Sequence, residues 1–146
     1  MNHLIVFLLA IAWCFGLNEG LVCSTGNPRC NNACLLNTLE FRNELTPGNI
    51  LKVNCTSNRN EDKGHHDVTF GNSFRFFVNE NGDNRIVWRC HLRQGPNMEH
   101  FLELWRAYRG AYASRCGQLR SWIARVDGVH LLRNDEHKGH QHHWIT

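Results

Sequence analysis

The stretch from Ile50 to Leu92 limits the possible folds more than any other part of the chain. It opens with Ile50-Leu51-Lys52-Val53-Asn54-Cys55 and closes with Ile86-Val87-Trp88-Arg89-Cys90-His91-Leu92. Both runs alternate apolar and polar residues. Leu51, Val53 and Cys55 therefore share one face, and Ile86, Trp88, Cys90 and Leu92 share another. Period-two alternation in β-branched and aromatic residues marks a half-buried strand. Each run aims one cysteine at a common core, so the pattern predicts antiparallel strands stapled by Cys55–Cys90. In the chain-entropy model a bridge closing a loop of about 35 residues stabilises by roughly 4 kcal/mol.

Further short strands are predicted over Leu39-Glu40-Phe41, His66 to Phe70, Ser73 to Val78, His100 to Trp105, Trp122 to Val126 and Val129 to Leu132. Turn signals punctuate them: Thr46-Pro47-Gly48-Asn49, Gln94-Gly95-Pro96-Asn97, and two hairpin signatures at Asn81-Gly82 and Asp127-Gly128. Arg106 to Gln118 reads as a loop or a helical turn. Eight short strands at regular spacing predict an all-β fold, a small antiparallel β-sandwich. Trp88, Trp105, Trp122, Phe74, Phe76 and Phe101 fall on its inward faces, where they serve as core and not as sugar-stacking platforms.

The first twenty residues belong to targeting. Leu4 to Leu17 is an apolar run of 14 residues followed by small and polar ones. It is short for a bilayer span and placed as a secretory signal peptide, a reading preferred over a buried N-terminal helix. Residues 1–20 are thus a leader, 21–37 a Cys-rich arm and 38–146 the body. Without the leader, seven cysteines become six: Cys23, Cys30, Cys34, Cys55, Cys90 and Cys116. An even set in a secreted chain reads as a disulfide framework, more so than a zinc site built on Cys30 and Cys34. Loss of Glu19 raises the formal charge from +3 to +4. This mild, scattered charge calls for no nucleic acid, and no later apolar run is long enough for membrane insertion.

No spacing selects a catalytic group. A ribonuclease needs two positioned histidines and a cation, and His66, His91 and a nearby Lys or Arg make one such trio among many. Gly-x-Ser-x-Gly and phosphate-cradling glycine loops are absent from the sequence. The tail His137-Lys138-Gly139-His140-Gln141-His142-His143 invites zinc or copper, but a solvated terminus that binds metal adventitiously is the reading preferred. No enzyme activity and no cofactor are expected. Asn54-Cys55-Thr56 is a glycosylation sequon, and its alternation with Val53 and Cys55 turns Asn54 to solvent. A fast-forming disulfide at Cys55 would compete with glycan transfer.

Several residues in order carry a family likeness. They are Asn43-x-Leu45, Leu51-x-Val53-x-Cys55-x-Ser57 with an acidic loop ending at Gly64, and Gly71 before Phe74-x-Phe76. Trp88-x-Cys90, Trp122 before Asp127-Gly128, and Trp144 complete the set. With them the chain resembles the plant self-incompatibility S-protein homologues over residues 38 to 146. The resemblance implies a secreted β-sandwich without enzymatic activity that acts as a ligand for a cell-surface protein receptor. It also implies the Cys55–Cys90 pair. Where the family usually has its fourth cysteine this chain has Ser121, so Cys116 lacks its expected partner. One arm cysteine is then expected to pair with Cys116, and the other two with each other.

The expected product is a secreted, monomeric signalling ligand or interaction module. Its recognition surface is expected in the loops Ser57–His65, Asn79–Asn84, Arg93–Glu99 and Arg106–Gln118. Asp62, Lys63, Asp83 and Arg109 are the rim charges able to select a partner, although such charges also simply keep loops soluble. A secreted defence protein is the second reading, and no basic amphipathic helix supports it. A secreted hydrolase is the third.

Overall fold

The computed structural model describes residues 36–80, 85–110 and 117–146. The leader, the arm with Cys23, Cys30 and Cys34, and the predicted site residues Asp83 and Cys116 lie outside the described residues. Nine strands and no helix occur among those described: β1 (Leu36–Asn43), β2 (Leu51–Ser57), β3 (Asp62–Val68), β4 (Ser73–Asn79), β5 (Val87–Gln94), β6 (His100–Arg109), β7 (Leu119–Arg125), β8 (Gly128–Arg133) and β9 (Glu136–His142). They form a five-stranded sheet in the order β4-β1-β7-β8-β9 and a four-stranded sheet in the order β3-β2-β5-β6.

Alternation decides what goes inside. Leu39 and Phe41 of β1, Leu51, Val53 and Cys55 of β2, Trp88, Cys90 and Leu92 of β5, and Trp122 and Ala124 of β7 join one buried cluster between the sheets. Burying a large apolar side chain is worth about 1.5–3 kcal/mol, so this cluster is the main source of stability. Cys55 stands directly opposite Cys90 in the β2–β5 ladder, and their sulfurs are bonded at 2.06 Å. Glycine is required where β9 returns over the β7–β8 turn: a Cβ on Gly128 would lie 2.4 Å from the carbonyl oxygen of His142.

The sandwich departs from the sequence reading at several places. The predicted eight strands are nine, because the histidine-rich tail pairs as β9 along β8. An edge strand that is polar on both faces has no apolar alternation to betray it. The sheets are mostly antiparallel, but β1 and β7 run parallel, with Thr38 opposite Leu119 and Phe41 opposite Trp122. The strands flanking Asn81-Gly82 do not form a hairpin, since β4 pairs with β1 and β5 with β2. A turn signal reports that the chain reverses, not which strand it rejoins. β3 begins at Asp62, inside the predicted Ser57–His65 loop, and β6 continues to Arg109, inside the predicted Arg106–Gln118 loop.

Trp105 and Phe101 are also not core residues; they are 61% and 39% exposed. Both phases of β6 carry apolar side chains, so its period could not choose a face. Leu102 and Leu104 took the inside. The register of β5 against β6 then shifts between Trp88 and Cys90, which returns Ala107 and Tyr108 to the core.

Two buried polar groups tie the sheets together. Asn43 donates through Nδ2 to the carbonyls of Val68 (2.8 Å) and Asn49 (2.9 Å), and its Oδ1 accepts from the Leu45 amide at 3.0 Å. Asn37 Nδ2 donates to the Tyr108 hydroxyl at 2.9 Å, and that hydroxyl donates in turn to Glu80. Burial, then the Glu80 hydrogen bond, pushes the Tyr108 pKa well above the ordinary phenol range.

Candidate functional site

The outer face of the four-stranded sheet is a ruled surface of cross-strand rows. Asp67, Lys52, Arg93 and Phe101 form one row across β3, β2, β5 and β6, with Lys52 Nζ 2.8 Å from Asp67 Oδ1. His65, Asn54, His91 and Glu103 form the next. At the β6 edge the Arg89 guanidinium lies 4.8 Å over the Trp105 ring. Cation–π contacts at exposed sites contribute about 0.5–1 kcal/mol, a bias of a few-fold toward the orientation in which the indole lies under the guanidinium.

Asn54 sits near the middle of this face, partly exposed, its Nδ2 3.5 Å from His65 Nδ1. It belongs to a shallow depression of about 400 Å³ with Lys52, His65, His91, Arg93 and Met98. A glycan there would cover the sheet and not a loop.

The three rim charges among the described residues, Asp62, Lys63 and Arg109, do not converge. Asp62 opens β3 and accepts from the Gly64 amide at 2.7 Å. Arg109 ends β6 and is exposed. They lie on opposite edges of the same sheet, three strand spacings or about 14 Å apart. Lys63 is not a free rim charge: its ammonium stands 5.1 Å from the Trp88 ring centroid and 5.2 Å from that of Phe76. It roofs the core. Trp105 and Phe101 are the residues the sequence reading missed on this face, and the only available signal was that β6 has two apolar phases.

His66 and His91 are not assembled as a nucleolytic pair. His66 lies opposite Val53 on the inward side, stacked on Phe74 with centroids 3.6 Å apart, whereas His91 lies opposite the outward Asn54. The sheet itself stands between the two imidazoles. Among the described residues no group of three or more His, Cys, Asp or Glu is placed to hold a metal ion.

Ser121, where the family resemblance leads one to expect a cysteine, is buried. Its hydroxyl donates to Glu40 Oε2 at 2.5 Å, Arg75 Nε donates to Glu40 Oε1 at 2.8 Å, and Arg42 lies 3.2 Å away. Burial pushes the Glu40 carboxyl up, but the Ser121 and Arg75 hydrogen bonds and the two guanidinium charges outweigh it and hold the pKa below the usual carboxylate value.

Comparison with known proteins agrees with this architecture. The family described as "Plant self-incompatibility protein S1" matches residues 38–144. S-protein homolog 25 of Arabidopsis thaliana is 33% identical over 137 residues, covering 91% of this chain and 89% of that protein. S-protein homolog 30 of the same plant is 35% identical over 131 residues, covering 86% and 89%. A solved structure of a self-incompatibility protein homologue superimposes with a TM-score of 0.60 at 26% identity, covering 77% of this chain and 97% of that one. It is described as belonging to a widespread family of small, highly stable, secreted proteins from plants.

Proposed function

The chain belongs to the plant self-incompatibility protein S1 family, and from that premise we propose that it is an extracellular signalling ligand, read by a cell-surface protein receptor through the outer face of its four-stranded sheet. The supporting observation is the exposed Trp105, stacked by Arg89 and flanked by Phe101 on the same face. Tryptophan and arginine are the residues most enriched at interface hot spots. A soluble sheet gains nothing for its own core by displaying them.

Arg93 and Arg109 extend the surface along β5 and β6 with positive charge, so an acidic receptor patch is its complement. The protein acts as a monomer and without enzymatic turnover. That reading fits a family not known for enzymes and the separation of His66 from His91 by the sheet.

The test is binding of fluorescently labelled secreted protein to intact plant cells. Saturable, protease-sensitive binding that falls at least about tenfold in Trp105→Ala supports the reading. Equal binding by the variant would refute it. Leakage from lipid vesicles at the same concentrations would instead favour the defence reading.

A further inference from the structure

A cleft of about 530 Å³ opens at one end of the sandwich, between the β5–β6 turn at Pro96, the β7–β8 turn at Val126 and Asp127, and Trp144 of the tail. Small-molecule sites range over about 300–1,000 Å³. Gln94 and His100 line the cleft from the end of the four-stranded sheet. They are direct partners in the β5–β6 ladder and share a face with Leu92 and Leu102, the next buried pair. The inward phase of β5 thus runs through Trp88, Cys90 and Leu92 and ends on a glutamine.

Gln94 is only 8% exposed, yet its carboxamide forms no hydrogen bond with another described residue. Buried polar side chains are nearly always paired, so an unpartnered carboxamide in the wall of a cleft marks a group left for a ligand. The rest of the described lining limits what that ligand can be. Asp127 has both carboxylate oxygens engaged, with His130 Nε2 and Gln141 Nε2 each at 3.1 Å. Trp144 commits its indole N–H to the Arg125 carbonyl at 2.8 Å and offers the cleft ring surface alone.

We propose that this cleft binds a neutral saccharide. The Gln94 carboxamide sets donor and acceptor side by side, and a neutral imidazole at His100 offers one of each. Adjacent ring hydroxyls, each able to donate and to accept, match that pairing. The C–H face of a sugar ring then covers the apolar surface of Pro96, Val126 and Trp144, in the usual division of a small-molecule site into apolar walls and a few orienting polar groups. An anion would meet the Asp127 charge, and a hydrocarbon would leave Gln94 unpaired. The cleft is separate from the outer face assigned to the receptor, so either assignment can fail without the other.

The test is an NMR titration of the intact secreted protein with cellobiose, xylobiose and mannobiose, and separately with glycylglycine, following the side-chain amide resonances of Gln94. At least one sugar should shift them saturably, with a dissociation constant of about a millimolar or less. In Gln94→Leu, saturation transfer to the same sugar should report an affinity at least about tenfold weaker. The melting midpoint of that variant without sugar should be no lower than in wild type, because the amide it lacks had no partner in the fold. A lower midpoint would assign the carboxamide to the fold and overturn the proposal. So would unmoved Gln94 resonances with every sugar, equal affinity in Gln94→Leu, or a response to glycylglycine alone, which would give the cleft to a peptide.

Discussion

Phe101 and Ile145 exchange both backbone hydrogen bonds, at 3.0 and 2.9 Å, although the strand leading to Ile145 belongs to the opposite sheet. The tail thus leaves β9, tucks Trp144 against the core and ends on β6. Trp144 Nε1 donates to the Arg125 carbonyl at 2.8 Å. The last residues strap the two sheets together across one end of the sandwich. Trp144→Ala should therefore lower unfolding free energy by about 2–3 kcal/mol, below the cost for a fully buried aromatic. Amide exchange at Phe101 and Ile145 should accelerate by more than the global loss explains. Equal acceleration throughout the molecule would deny the strap.

Asn43→Ala removes two donations to backbone carbonyls and one acceptance from Leu45. Each buried partner left unsatisfied costs about 1–3 kcal/mol, so a loss near 3 kcal/mol is expected in urea denaturation. Asn43→Asp should be about as damaging, because a carboxylate cannot donate to Val68 and Asn49.

Glu40 sets an acid limit. Its folded pKa lies below the ordinary 4.5, so its ionised form contributes stability that is complete above that value. The contribution is lost as pH falls through the lowered folded pKa. Glu40→Gln should flatten the stability–pH curve below 4.5, leaving the slopes of other carboxylates such as Asp127, whose pKa is lowered by its His130 partner. An unchanged acid limb in the variant would show that the network is energetically idle.

Cys55→Ala with Cys90→Ala should cost about 4 kcal/mol, the loop-closure value for a bridge of this span. Trp105→Ala should change stability by no more than about 1 kcal/mol, since the indole is outside the core and only its contact with Arg89 is lost. A loss of several kcal/mol there would mean the indole serves the fold and not a partner.

The residues whose burial is enforced by alternation were legible from sequence. Leu51, Val53, Cys55, Trp88, Cys90 and Leu92 needed only the period of a strand. Trp105 was not legible, because Phe101 and Trp105 compete with Leu102 and Leu104 for the same core, and only the neighbouring strand decides. Asn43 carried a family signature without a visible reason; the reason is a pair of backbone carbonyls, one of them on Val68, 25 residues along the chain.

The parallel pairing of β1 with β7 also fixes a timetable. Glu40 and Ser121, neighbours in the finished sheet, are 81 residues apart. At about 5–20 residues per second, a ribosome delivers the second roughly 4–16 s after the first. During that interval β1 can find β4, whose Arg75 is 35 residues from Glu40, and β2 can find β5. The larger sheet nevertheless lacks its middle. Leu39 and Phe41 must wait, uncovered on one side, until the last third of the chain has been made. The arginines Arg42 and Arg75, already beside Glu40, keep the waiting edge charged, and a charged edge is a poor template for a passing strand of another molecule.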